Sequence, residues 1–225
     1  MNDALTDILT IDGPAGSGKS TLAKRLARRL GYAFLDSGAM YRAATWRAMH
    51  TDIDMTDKIA LAQSTTDMEL EMSESNGVLT VLVDDYDVSD AIRTPEVTNA
   101  IKALDGIQAV RDTMIVLQQK IASAKPTVAE GRDMGTVVFP NARWKVFLEA
   151  SLEERTRRRA EELTNKGVPF DLDQLQDDIH ARDENDRNRD IAPLRPADDA
   201  WTLDTSEMTL DEVEAAILQH VEQAS

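Results

Sequence analysis

The chain has 225 residues, 42% hydrophobic and 29% charged, the composition of an ordinary soluble globular protein with room for one large domain. Its formal net charge of −16 excludes a broad attraction to DNA, RNA or anionic lipid, all of which demand a basic face. With no cysteine there can be no disulfide or thiolate metal site, so an anionic ligand has to be drawn in by a local cluster of Arg and Lys.

His50, His180 and His220 are scattered and lack metal-ligand spacing. The first seven residues, Met-Asn-Asp-Ala-Leu-Thr-Asp, carry acids where a signal peptide carries Lys or Arg, and no apolar run approaches a bilayer span. The expectation is a cytoplasmic protein, a monomer by default, with neither a membrane nor a nucleic-acid partner.

Residues 8–11 are a short apolar, β-branched run suited to a buried parallel strand. A Gly-rich stretch follows. Residues 20–30 then place Leu22, Leu26 and Leu30 at helical spacing, with Gly31 positioned to stop the helix. Residues 32–35 predict a second strand and 38–50 a second helix, the opening of an α/β domain with a parallel sheet.

The middle changes character. Met68, Leu70 and Met72 alternate with Glu69 and Glu71, Asn76-Gly77 follows, and residues 78–83 are a further apolar run, together a hairpin signal. Such a hairpin does not belong inside a parallel sheet. Residues from about 56 to 93 are therefore expected as an inserted lobe on a single domain whose core is 1–55 and 94–225. Thr94-Pro95-Glu96 starts a helix with Pro in its first turn, and another helix is expected over 107–122.

Residues 127–129 return to strand character ahead of Glu130-Gly131-Arg132-Asp133-Met134-Gly135. Residues 145–148 predict a strand, 151–163 and 172–188 charged helices, 201–203 a last strand, and 210–221 a closing amphipathic helix.

Gly13-Pro14-Ala15-Gly16-Ser17-Gly18-Lys19-Ser20 fits the G-x-x-x-x-G-K-[ST] phosphate loop in full, with a strand before it and a helix after. The glycines let consecutive N–H groups turn inward, and the helix adds the positive end of its dipole. Lys19 would reach the β- and γ-phosphates, the Ser20 hydroxyl would ligate Mg²⁺, and Thr21 would contact the α-phosphate side. The firm reading is a nucleoside triphosphate site.

A GTPase would also need Asn-Lys-x-Asp, and Asn165-Lys166-Gly167-Val168 has Val where the Asp belongs. A transporter ATPase would need a long signature motif and a larger domain. A small-acceptor kinase needs arginines that hold an anionic acceptor in line with the γ-phosphate, and a cover against water.

Those parts are present. Asp36 and Ser37 end the second strand, Tyr41 and Arg42 lie one helical turn on, and Arg132-Asp133 follows another strand. Arg155, Arg157, Arg158 and Arg159 crowd one helical stretch, where mutual repulsion argues for an anion partner. Arg182, Asp186 and Arg189 have roughly helical spacing. Taken alone, residues 182–189 read better as a solvated charged face, and Arg132-Asp133 could be a structural ion pair.

The ordered set "TIDGPAGSGKSTLAK", "LDSGAMYR", "IRTPEV", "GRDMGTVVFPNA", "ERTRRRAEEL" and "RDENDRNRDIAPLRPADDA" resembles the bacterial cytidylate kinases over nearly the whole chain. The resemblance implies the α/β fold of nucleoside monophosphate kinases: a parallel sheet flanked by helices, an enlarged NMP-binding lobe holding the antiparallel hairpin, and a short lid over about 155–190. It implies transfer from ATP to CMP or dCMP with Mg²⁺.

By the same resemblance Arg111 and Asp133 read the cytosine edge. Arg can donate to N3 and O2, and Asp can accept from the N4 amino group. Arg42 and Arg132 would bind the acceptor phosphate, Ser37, Arg182 and Asp186 the sugar side, and Arg189 would add charge near the phosphates. Arg155, Arg158 and Arg159 would belong to the lid and stabilise the transferring group.

Two positions depart from the family pattern. Lys102 stands where a serine is usual, so either base recognition rests more on Asp133 or Lys102 points to solvent. Glu130 stands where Asp is also frequent. It and Asp36 are candidates to hold Mg²⁺ through water. The rivals are a kinase of another small acceptor, such as UMP, AMP or shikimate, and a regulator that uses ATP occupancy as a switch.

Overall fold

A computed structural model describes residues 7–75 and 78–223. The acidic N-terminal stretch up to residue 6 and the expected Asn76-Gly77 turn lie outside the described residues. In chain order the elements begin with β1 (Ile8–Asp12), α1 (Lys19–Leu30), β2 (Ala33–Asp36) and α2 (Ser37–His50). Then come α3 (Lys58–Thr66), β3 (Leu70–Ser75), β4 (Val78–Val83), β5 (Tyr86–Asp87), α4 (Pro95–Ala100) and α5 (Gln108–Ala122). The chain closes with β6 (Thr127–Gly131), β7 (Trp144–Glu149), α6 (Leu152–Asn165), α7 (Leu172–Asn188), β8 (Trp201–Asp204) and α8 (Leu210–Gln223).

These elements form two compact units, residues 1–34 with 125–225, and residues 35–124. The first is built on a sheet of order β2-β6-β1-β7-β8, with β6, β1, β7 and β8 mutually parallel. β1 is buried along its whole length, as its unbroken apolar run requires of a central parallel strand. Asp12 pairs with Gly131 of β6 on one side and Phe147 of β7 on the other. The chain therefore leaves these three strands at one common edge, the carboxyl end where such sheets bind ligands.

α1 covers the sheet with Leu22, Ala23, Leu26 and Ala27 and stops at Gly31, whose φ of 71° no β-carbon-bearing residue takes readily. Ser151 caps α6 by accepting the Glu154 N–H at 3.2 Å, and Asp171 caps α7 by accepting the Gln174 N–H at 2.9 Å.

The second unit holds the antiparallel sheet β3-β4-β5. β4 buries Leu79, Val81 and Val83 on one face, and Asp84 and Asp85, both at positive φ, make the tight turn into β5. This unit reaches beyond the expected 56–93 lobe on both sides, because α2 and α5 pack with it. Arg47 of α2 meets Asp84 at 2.6 Å and the Ser64 carbonyl of α3 at 2.9 Å.

Most boundaries move by one or two residues from the sequence reading. α3 was not anticipated. Its start is set by Asp57, whose carboxylate accepts the N–H groups of Ile59 and Ala60.

Candidate functional site

In the first unit the phosphate loop joins β1 to α1. A β-carbon at Gly13 would run into the Leu148 carbonyl oxygen, so only glycine lets the loop lie this close to β7. Gly18, at φ 88°, opens α1 without any side-chain cap. The first-turn N–H groups are left to face an anion.

Lys19 is buried, and its ammonium donates to the Pro14 carbonyl at 2.6 Å and to Ser17 Oγ at 3.2 Å. Burial above all lowers its pKa from 10.5 to about 7. The charges of Arg132 and Arg182 act in the same direction, against Glu130 and Asp12. Ser20 Oγ donates to Glu130 Oε1 at 2.5 Å.

Asp12, at the end of β1, accepts the N–H of Met134 at 2.9 Å and of Gly135 at 2.8 Å. It thereby pins the turn that follows β6, where residues Met134–Val138 form one wide π-helical turn. Arg132 and Asp133 stand immediately before this turn. Arg132 Nε donates to Asp186 Oδ2 of α7 at 2.7 Å, and Arg189 lies 3.9 Å from Asp133 while donating to the Ala192 carbonyl at 2.6 Å. Burial is the largest influence on Asp186 and pushes its pKa up. Arg132, Arg182 and Arg189 together nonetheless hold it below the ordinary carboxylate value.

The structure thus brings together, in one unit, the loop residues 13–21, Glu130, Arg132, Asp133, Asp186 and Arg189. Arg182 lies on the same helix, and its charge is felt at Lys19.

The four arginines of α6 all have protein partners. Arg157 meets Glu154 and Glu161, Arg158 meets Glu154, Arg159 meets Glu162, and Arg155 is buried against Asp183 of α7. The acids of the same helix relieve the expected repulsion, so repulsion gives no ground for an outside anion. Arg158 also donates to the Thr205 carbonyl at 2.5 Å, whereas Arg159 is held at the surface by Glu162.

In the second unit Asp36 accepts the Ala39 N–H at 2.8 Å, capping α2, and lies 3.5 Å from Arg42. Ser37 is buried and accepts a hydrogen bond from Gln118 Nε2 of α5 at 3.0 Å. Arg111, buried on the same helix, stacks its guanidinium over Tyr41 with 6.0 Å to the ring centroid. Lys102 is exposed.

Sequence reasoning passed over Asp12, Gln118 and Asp183. A lone Asp at a strand end or a lone Gln on a helix carries no pattern, although Asp183 stood inside a flagged motif.

A model of the family described as cytidylate kinase matches residues 9–223. Cytidylate kinase 1 of Haemophilus influenzae is 45% identical over 215 residues, covering 96% of this chain and 93% of its own. The cytidylate kinase of Shouchella clausii is 46% identical over 217 residues, covering 96% of each chain.

Proposed function

The chain belongs to the cytidylate kinase family, and on that premise we propose that it transfers the γ-phosphoryl group of ATP to CMP or dCMP, releasing ADP with CDP or dCDP. The observation that carries this reading is the open N-terminus of α1 behind the Gly13–Ser20 loop, with Lys19 buried beside it and Arg132 one strand away.

The loop N–H groups and Lys19 hold the donor phosphates. The family resemblance assigns Arg132 of the first unit and Arg42 of the second each to the acceptor phosphate, and transfer to such an acceptor is largely a matter of position and charge. The acceptor phosphate is already an anionic nucleophile, so no histidine base is required.

Ser20 and Glu130 fit Mg²⁺. They are a hydroxyl and a carboxylate in hydrogen-bond contact beside the phosphate loop, the hard oxygen donors that this ion takes along with water and phosphate. When bound, the ion would neutralise charge on the phosphate oxygens. Asp36, committed to the α2 cap and to Arg42, is the weaker candidate.

Arg111 and Asp133 read the cytosine edge. Uracil would turn a carbonyl toward the Asp133 carboxylate and be disfavoured. Ser37, Arg182 and Asp186 hold the sugar side, and Arg189 adds charge nearby. Among the α6 arginines, Arg159, paired at the surface with Glu162, is the one assigned to the transferring group, while Arg158 is tied to Thr205.

A coupled ADP-release assay with ATP–Mg²⁺ against CMP, dCMP, UMP, AMP and no acceptor tests the proposal. Turnover with CMP and dCMP alone is expected. Equal turnover with UMP would remove the base-reading pair, and slow release independent of acceptor would indicate a switch instead.

A further inference from the structure

α7 presents two carboxylates three residues apart, and they serve different ends. Asp186 meets Arg132. Asp183 instead faces the phosphate loop: its Oδ1 accepts the Ala15 N–H at 2.9 Å, while its Oδ2 accepts from Arg155 Nη1. That same arginine nitrogen donates to the Ala15 carbonyl at 2.9 Å, and Arg155 Nε donates to the Ala150 carbonyl at 3.0 Å.

Both polar backbone groups of Ala15 are therefore held by side chains, one from α6 and one from α7. Asp183 is 1% exposed and Arg155 5%. The α6 backbone is seated on the loop as well. A β-carbon at Gly16 would lie 3.1 Å from the Arg155 carbonyl oxygen.

A buried ion pair adds little net stability, because desolvation offsets its attraction. What this one supplies is geometry. Ala15 stands immediately before residues 16–20 of the loop.

We propose that Arg155 and Asp183 act as one positioning unit, fixing the Ala15 backbone and through it the direction in which residues 16–20 present their N–H groups to ATP. This rests on reading residues 13–21 as the ATP site. It gives Arg155 a role behind the loop in place of contact with the transferring group.

The test is steady-state kinetics with ATP–Mg²⁺ and CMP, together with calorimetric binding of ATP to the acceptor-free enzyme. Both are done for wild type, Asp183→Ala, Asp183→Asn and the double variant Asp183→Ala/Arg155→Ala, each checked for folding by circular dichroism. Misplacing the loop in Asp183→Ala should raise the KM and Kd for ATP about tenfold or more while the KM for CMP stays within about twofold.

Asp183→Asn keeps an acceptor for Ala15 but not the charge opposite Arg155, and should show an intermediate rise of about threefold. It carries the test by itself if Asp183→Ala does not fold. The double variant should be no worse than Asp183→Ala, the signature of two residues acting as one.

Both KM values rising together, or unchanged ATP affinity in the folded variants, would overturn the proposal. If wild type binds ATP but does not phosphorylate CMP, the functional reading fails while the calorimetric series still decides the clamp.

Discussion

Asp12 offers a prediction whose sign runs against intuition. It is 5% exposed, and burial pushes its pKa up from 3.8 to about 6. The hydrogen bonds from Gly135 and Met134 pull the other way, Asp133 adds to the rise, and Lys19 opposes it. Because the folded value lies above the unfolded one, the stability carried by the protonated form is full below 3.8 and is lost as pH rises through about 6. At about 1.4 kcal/mol per pKa unit the whole rise is worth about 3 kcal/mol, of which about 2 kcal/mol falls between pH 4 and pH 7. Asp12→Asn does not titrate and keeps one acceptor oxygen for the turn.

The stability of the variant relative to wild type should therefore improve by about 2 kcal/mol from pH 4 to pH 7, measured by urea unfolding of both proteins at each pH. Taking the difference cancels the other carboxylates. A difference that stays flat, or that moves toward wild type as pH rises, would refute the reasoning. Activity should move the opposite way, because the Met134–Gly135 turn held by Asp12 directly follows Arg132 and Asp133, so turnover with CMP should fall even where stability improves.

Lys19, held down to about 7 in the free protein, should be recharged by bound phosphate. ATP binding then takes up a proton above pH 7 and weakens with each further pH unit by up to about tenfold. Calorimetry in buffers of different ionisation enthalpy reads that uptake, and a pH-independent affinity would contradict it. Gln118→Ala releases the Ser37 hydroxyl and should raise the KM for CMP severalfold without moving that for ATP; a change in the ATP value alone would break the assignment. Asp133→Ala should lose the CMP-over-UMP preference more than it loses ATP binding, as competition between the two acceptors would show.

The phosphate loop was legible in the sequence because its chemistry lies in spacing: glycines where φ turns positive, then Lys19 and Ser20 at the helix start. The alternation through Leu70 and Met72 likewise announced β3, since a half-buried strand must alternate. The extent of the second unit was not legible. Arg47 reaches Asp84 and Ser64 across distant sequence, and no local pattern records such a contact. Asp183 was hidden for the same reason. In a run as charged as "RDENDRNR" a buried acid looks like a solvated one until α6 and the phosphate loop are seen to enclose it.

The most direct test of the account follows the γ-phosphoryl group itself. Incubation of the protein with ATP labelled on the γ-phosphorus, Mg²⁺ and CMP should place the label in CDP, in step with ADP formed. Label appearing as inorganic phosphate while CMP stays unmodified would show that water is the acceptor, and would contradict the account.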